Sequence, residues 1–208
     1  MSERQAAPDA GAPGVPTSSS VASRADLPPG VYVMLFLAAA TLCMGVYQPA
    51  LNGGLVSDDA AVLLDNPLVG ALTWQNVSAM FDFRVMERDF SANYAPLHDL
   101  LVAVERWAFG AKVFPLHIVN VLLHALNSVL LVAWLRSSRL PLAAALLGGL
   151  VFALHPANVE AVAWMSQSKT DAALSFSLLA LLAFRPAPAA ATLLFTAAYG
   201  LGSPGQSS

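Results

Sequence analysis

Charge is scarce in this sequence. Only 11% of its 208 residues are Asp, Glu, Lys or Arg, against roughly 25% in a typical soluble domain. Such a chain cannot coat an ordinary folded surface with water-seeking groups, and a soluble single domain is excluded. Its few charges do not lean basic. Ten Lys and Arg against thirteen Asp and Glu leave a net charge of −3, with no basic face for a phosphate backbone, so nucleic acid is not an expected partner. Cysteine is nearly missing too. Cys43 is the single one; it forbids an internal disulfide, and it says nothing of compartment. Leu42 before it stands where a lipoprotein signal requires a small residue.

What is present is apolar: 57% of the residues are hydrophobic, and they are gathered into blocks. Val31–Leu51, Val113–Leu135, Leu140–Leu154 and Ala172–Phe184 are almost free of charge, and Ala187–Leu201 is a weaker block of the same kind. A bilayer core takes about 20 apolar residues in a helix. A charge at its centre costs about 2.5–3.5 kcal/mol on insertion scales, which explains why the charges fall between the blocks. The expected fold class is therefore an all-α integral membrane protein with four or five spans. Spans are expected at about 31–51, 113–135, 139–155 and 170–185, with a partial further span and a truncated end over 187–208. The first run is long and has no Lys or Arg cluster directly before it, so it reads as a retained anchor, not a cleaved signal.

Between these blocks lie a tail and two polar connections. Residues 1–29 are rich in Ala, Pro, Ser and Gly without apolar periodicity, the composition of a disordered tail. The loop over 52–112 carries eight acidic and four basic residues, and Leu72–Phe83 and His98–Phe109 within it read as short interfacial helices. The second and third spans are joined by Arg136–Arg139, the third and fourth by His155–Lys169. Counting basic residues sets Arg24, Arg136, Arg139 and Arg185 against Arg106, Lys112 and Lys169. The cytoplasmic side takes the larger group, which puts the tail in the cytoplasm and the 52–112 loop outside.

Several polar residues could carry chemistry. Asp58 and Asp59 open the outer loop next to the first span. Two adjacent carboxylates repel, which suits one of them to proton abstraction; the plainer reading is a solvated loop start. Arg84 and Arg88, in a mixed cluster with Glu87 and Asp89, could hold a phosphate by charge-assisted contacts, or simply line an interface. His117, Asn120, His124 and Asn127 are spaced by three and four residues, on one face of the second span. Polar groups there line a cavity or bind helix to helix. His155, Glu160 and Lys169 lie in the second outer connection, on the same side as the acidic pair. No convergent set of carboxylates marks a metal site, and His117 and His124 stand two turns apart. Ser166 to Lys169 matches an S-x-x-K pattern, but the companion motifs of those enzymes are missing.

The strings SDDAAVLLDNPLV, LTWQNVSAMF, NYAPLHDL, FPLHIVNVLLHALNSVLLVAWL and VFALHPANVEAVAWMSQSK occur in that order from Ser57 to Lys169. Together they resemble the N-terminal membrane domain of bacterial glycosyltransferases that carry tetratricopeptide repeats. These are relatives of the transmembrane and tetratricopeptide-repeat O-mannosyltransferases, with a multi-span GT-C-like helical bundle, and the resemblance covers residues 30–186. It implies transfer of a sugar from a polyprenyl-phosphate donor to a protein hydroxyl, with inversion. An outer-loop acid serves as general base, mapping onto Asp58 with Asp59 beside it. Arg84, Arg88, His98 and Lys169 are candidates to hold the donor phosphate, and His117, Asn120, His124, His155 and Glu160 to line a polar cavity. No cofactor is expected, and no metal, because only Asp58, Asp59 and Glu160 are obvious carboxylates to contribute to one. The resemblance places the protein as multi-pass in a bacterial inner membrane, with the loop periplasmic. Ala95 stands where many relatives have Arg, seven or more spans are usual in the fold, and no 34-residue repeat occurs here. The competing reading, from a different class, is a non-catalytic membrane subunit or transporter fragment whose polar second span lines a pathway.

Overall fold

The computed structural model describes residues 27–82, 84–85, 95–184 and 186–202. Among these the regular structure is helical, with no strand. Two helices are long and apolar enough to cross a membrane. They are α1, Pro29–Val46, and α5, Val113–Ser137. At 1.5 Å per residue they measure about 27 and about 37 Å, close to or beyond the roughly 30 Å of a hydrocarbon core. Pro29 at the first helical position of α1 gives up an N–H that would have no partner there. Most of α1 faces outward, with Val33, Met34 and Leu37 exposed and Cys43 its one buried residue.

A third crossing is bent. Helix α6, Leu142–Leu154, stops because Pro156 disfavours the helical conformation at the residue before it. His155 is extended (φ −68°, ψ 127°), and the chain resumes at an angle of 50° through the turn Pro156–Asn158 and helix α7, Val159–Ala163. The expected fourth span becomes α8, Ser168–Ala183, which is only 16 residues long and carries Asp171 in its first turn. The last apolar block is α9, Pro188–Gly202, with 15 residues. The structure therefore has two helices of crossing length, or three counting the bent pair, where the composition predicted four or five. Charge in the first turn of α8 and proline breaks shorten the others.

The described part of the 52–112 loop is a folded cap. After the short helix α2, Gln48–Leu51, it forms a π-helical turn at Ala61–Asp65, then helix α3, Trp74–Met80, and helix α4, Pro96–Phe109. Helix α3 falls inside the first segment expected to be interfacial, and α4 begins two residues before the second and ends with it. Leu63, Leu68, Val69, Met80, Val102 and Ala103 of the cap pack with Leu116 at the start of α5 and with Met165 of the second connection. Fully burying an aliphatic side chain of this size contributes about 1.5–3 kcal/mol. A second cluster, deeper in the bundle, joins Cys43, Tyr47 and Leu51 to Val121 and Ala125 of α5 and to Ala153 and Val162. The cap is thus fixed to the end of α5, the helix that carries the polar stripe.

Candidate functional site at the capped end of the bundle

The acidic pair sits on a turn that the backbone must be held into. Ser57 has φ +54°, a left-handed conformation that costs a residue with a side chain about 1–2 kcal/mol. Asp58 and Asp59 follow it and are treated differently by their surroundings. Asp59 is 0% exposed. Its Oδ2 accepts the Val56 N–H at 2.9 Å and its Oδ1 accepts the Ser166 N–H at 2.8 Å. Asp58 is exposed, and its Oδ1 accepts the Ser166 hydroxyl at 2.8 Å. These donors offset the repulsion between neighbouring carboxylates. Just beyond, the Arg106 guanidinium donates to the carbonyls of Leu63 and Leu64 in the π-helical turn. Helix α4 thereby holds the segment that follows the pair.

Lys169 and His98 stand on the basic side. His98 on α4 is only 4% exposed. Burial pulls its imidazole down to about 4, the Lys169 charge pushes the same way, and Asp58 acts weakly against both. His98 is thus neutral at physiological pH. Beside it, Asp99 is buried and accepts from Asn66 Nδ2 at 3.4 Å. Burial raises its carboxyl to about 6, against the pull of Lys169. Asp58 and Lys169 both act on His98, and Lys169 acts on Asp99 as well, so these four share one electrostatic neighbourhood. In that neighbourhood Lys169 is the residue able to meet an anion with charge.

The remaining candidate residues separate. Arg84 is exposed and its backbone N–H donates to Asp82 Oδ1 at 3.0 Å, while Arg88 lies outside the described residues. His117, Asn120 and His124 are all buried on the inner face of α5. Asn120 Nδ2 donates to the Trp164 carbonyl at 3.2 Å, and His124 Nε2 lies 3.2 Å from the Ala153 carbonyl. His155 and Glu160 are exposed and stand apart from that face, because the bend at Pro156 turns them outward. His155 instead caps the following turn, its Nδ1 accepting the Ala157 N–H at 3.2 Å. Among the described residues no group of three or more His, Cys, Asp or Glu is placed to hold a metal ion.

Three residues of this arrangement escape a reading of the sequence, Asn66, Asp99 and Asp171, and Ser166 enters it only through an S-x-x-K match that leads elsewhere. Asp171 offered a signal, since a lone carboxylate entering an apolar run is costly unless it has a partner. The other three lie in ordinary polar surroundings, and their partners are 33 to 108 positions away.

Fold and site define an all-helical protein with two or three helices able to cross a membrane and an acidic pair pinned at one end of the bundle. Over 150 residues, 69% of the chain, it is 33% identical to Protein O-mannosyl-transferase Tmtc1 of Drosophila melanogaster. The chain spans only 17% of that protein's length. No family model and no solved structure matches.

Proposed function

We propose that the chain forms the donor-side part of a membrane glycosyltransferase, moving a sugar from a polyprenyl-phosphate carrier to a protein hydroxyl. The observation that carries this reading is the division of the acidic pair: Asp59 buried and bonded through both oxygens, Asp58 exposed and held through one oxygen by the Ser166 hydroxyl. The relative named an O-mannosyltransferase makes a mannosyl phosphate carrier the first donor to try.

In this mechanism the acceptor oxygen attacks the anomeric carbon from the face opposite the phosphate. The bond from that carbon to the phosphate oxygen breaks, its electron pair leaves with the phosphate, and configuration inverts. The acceptor proton passes to Asp58 as the new bond forms, a role worth about 10²–10⁴-fold in rate. Lys169 meets the charge of the departing phosphate. His98, held neutral, contributes a hydrogen bond and no charge. Asp59 acts as scaffold for the turn, and the 52–112 loop faces the non-cytoplasmic side, the periplasm in a bacterium.

The pathway reading fits less well, because three of the four polar groups of the α5 stripe, all but His117, are engaged in bonds between segments. Asn120 binds the Trp164 carbonyl and Asn127 binds Asp171. The test is transfer from a polyprenyl-phosphate sugar by the chain in membranes. Asp58→Asn is expected to lower transfer by at least about 100-fold, and undiminished transfer contradicts the reading.

A further inference from the structure

Ser166 belongs to neither loop turn that carries the acids, yet it serves both. Its backbone N–H donates to Asp59 Oδ1 and its hydroxyl donates to Asp58 Oδ1, each at 2.8 Å. One residue of the second outer connection thus binds two consecutive carboxylates of the first loop, 107 and 108 positions earlier. Ser166 cannot swing away from them. It is 2% exposed, and its neighbour Met165 packs in the same cluster as Leu63, four residues beyond Asp59.

The two bonds do different things. The N–H bond, with the Val56 N–H on the other oxygen, locks buried Asp59 and so fixes the turn after left-handed Ser57. The hydroxyl bond acts on Asp58, an exposed side chain that would otherwise sample several rotamers. Occupying Oδ1 leaves Oδ2 to face an acceptor. We infer that Ser166 is the positioning residue of Asp58, fixing the carboxylate that takes the acceptor proton and tying the two outer connections into one unit. This inference rests on the reading of Asp58 as general base.

Ser166→Ala removes the hydroxyl alone and keeps the N–H to Asp59, so the turn stays in place. Ser166→Thr keeps both donors. A misplaced catalytic group costs on the order of 10²-fold in favourable cases. Ser166→Ala is accordingly expected to lower kcat for sugar transfer by about 10- to 100-fold with the donor KM unchanged. Ser166→Thr restores the rate. A second readout does not depend on turnover: the Asp58 carboxylate band in the infrared spectrum, identified as the band lost in Asp58→Asn, shifts in Ser166→Ala and returns in Ser166→Thr.

An unmoved band, or an unchanged kcat in Ser166→Ala, overturns the positioning role while Asp58→Asn still abolishes transfer. Transfer that survives Asp58→Asn overturns the base reading beneath it, even where the band shifts.

Discussion

Asn127 of α5 binds Asp171 of α8 twice, its Nδ2 donating to the Asp171 carbonyl at 2.8 Å and to Oδ1 at 3.1 Å. Ser175, one turn further along α8, donates its hydroxyl to Asn127 Oδ1 at 2.7 Å, and His124 Nδ1 lies 3.6 Å from Asp171 Oδ1. All four side chains are buried. The carboxylate that enters the apolar run of α8 is thereby accommodated by partners on α5, and α8 is held against the polar stripe. Asn127→Leu strands the carboxylate. It is expected to cost about 1–3 kcal/mol, read as a lower thermal midpoint in detergent. Replacing Asn127, Asp171 and Ser175 together by apolar residues of similar size should recover most of that loss, since no hydrogen-bonded group is newly stranded and His124 Nδ1 has no hydrogen-bond partner even in the parent.

The two acidic residues should respond oppositely to the same change. Asp59→Asn turns an acceptor-only group into one whose NH2 must face a backbone N–H, either that of Val56 or that of Ser166. A stability loss of about 1–3 kcal/mol follows, visible in thermal unfolding. Asp58→Asn leaves an exposed amide that can still accept from Ser166, and its midpoint should stay within about 0.5 kcal/mol of the parent. Equal losses for both would show that the turn does not distinguish them.

Three buried groups of α4 and their surroundings set a pH dependence of stability. Burial pushes the Glu105 carboxyl up from an ordinary 4.5 to about 7. The folded chain then keeps a proton that the unfolded chain releases. This stabilising contribution is present below pH 4.5 and lost as pH rises to about 7. Asp99, raised from 3.8 to about 6, behaves alike over its own window. His98 runs the other way: lowered from 6.5 to about 4, it favours the fold above pH 6.5, and that contribution disappears as pH falls toward 4. Glu105→Gln should remove the decline between pH 5 and 8. The parent is expected to lose about 2–3 kcal/mol against the variant over that interval. Parallel pH curves for the two would contradict the assignment.

Neighbouring glycines of α6 offer a test of the close packing against α5. A Cβ on Gly149 would lie 2.5 Å from Val132 Cγ2 and 3.0 Å from the Ser128 carbonyl oxygen, which is backbone and cannot step aside. A Cβ on Gly148 would meet only the end of the Leu135 side chain, at 2.8 Å. Small residues let helices approach in this way where the surroundings are apolar. Gly149→Ala is expected to cost about 1–3 kcal/mol and Gly148→Ala clearly less, compared as thermal midpoints of the two variants.

Much of the bundle is legible in the sequence because apolar run length and charge exclusion act locally. They mark α1, α5 and α6 within a few residues, and the three-and-four spacing places His117, Asn120, His124 and Asn127 on one face that the structure buries. Short elements were less legible. Helix α8 begins two residues before the expected span and ends two residues before its end, and the Asp171 inside it is tolerated because a carboxylate with a partner on α5 costs far less than one in lipid. The site was half visible. Asp58, Asp59, His98 and Lys169 stand out by residue type, but Ser166 does not, since its role depends on packing between segments 107 positions apart. His155 and Glu160 looked equivalent to the buried stripe until the bend at Pro156 is considered.

The central claim is that Asp58 takes the acceptor proton in sugar transfer. Its most direct test is the rate of transfer from a polyprenyl-phosphate mannose to a hydroxyl acceptor by membranes carrying the chain, its Asp58→Asn variant and its Asp58→Glu variant. Transfer by the parent, a loss of at least about 100-fold in Asp58→Asn and partial recovery in Asp58→Glu are expected. Transfer that persists in Asp58→Asn, or that is absent from the parent, would contradict the account.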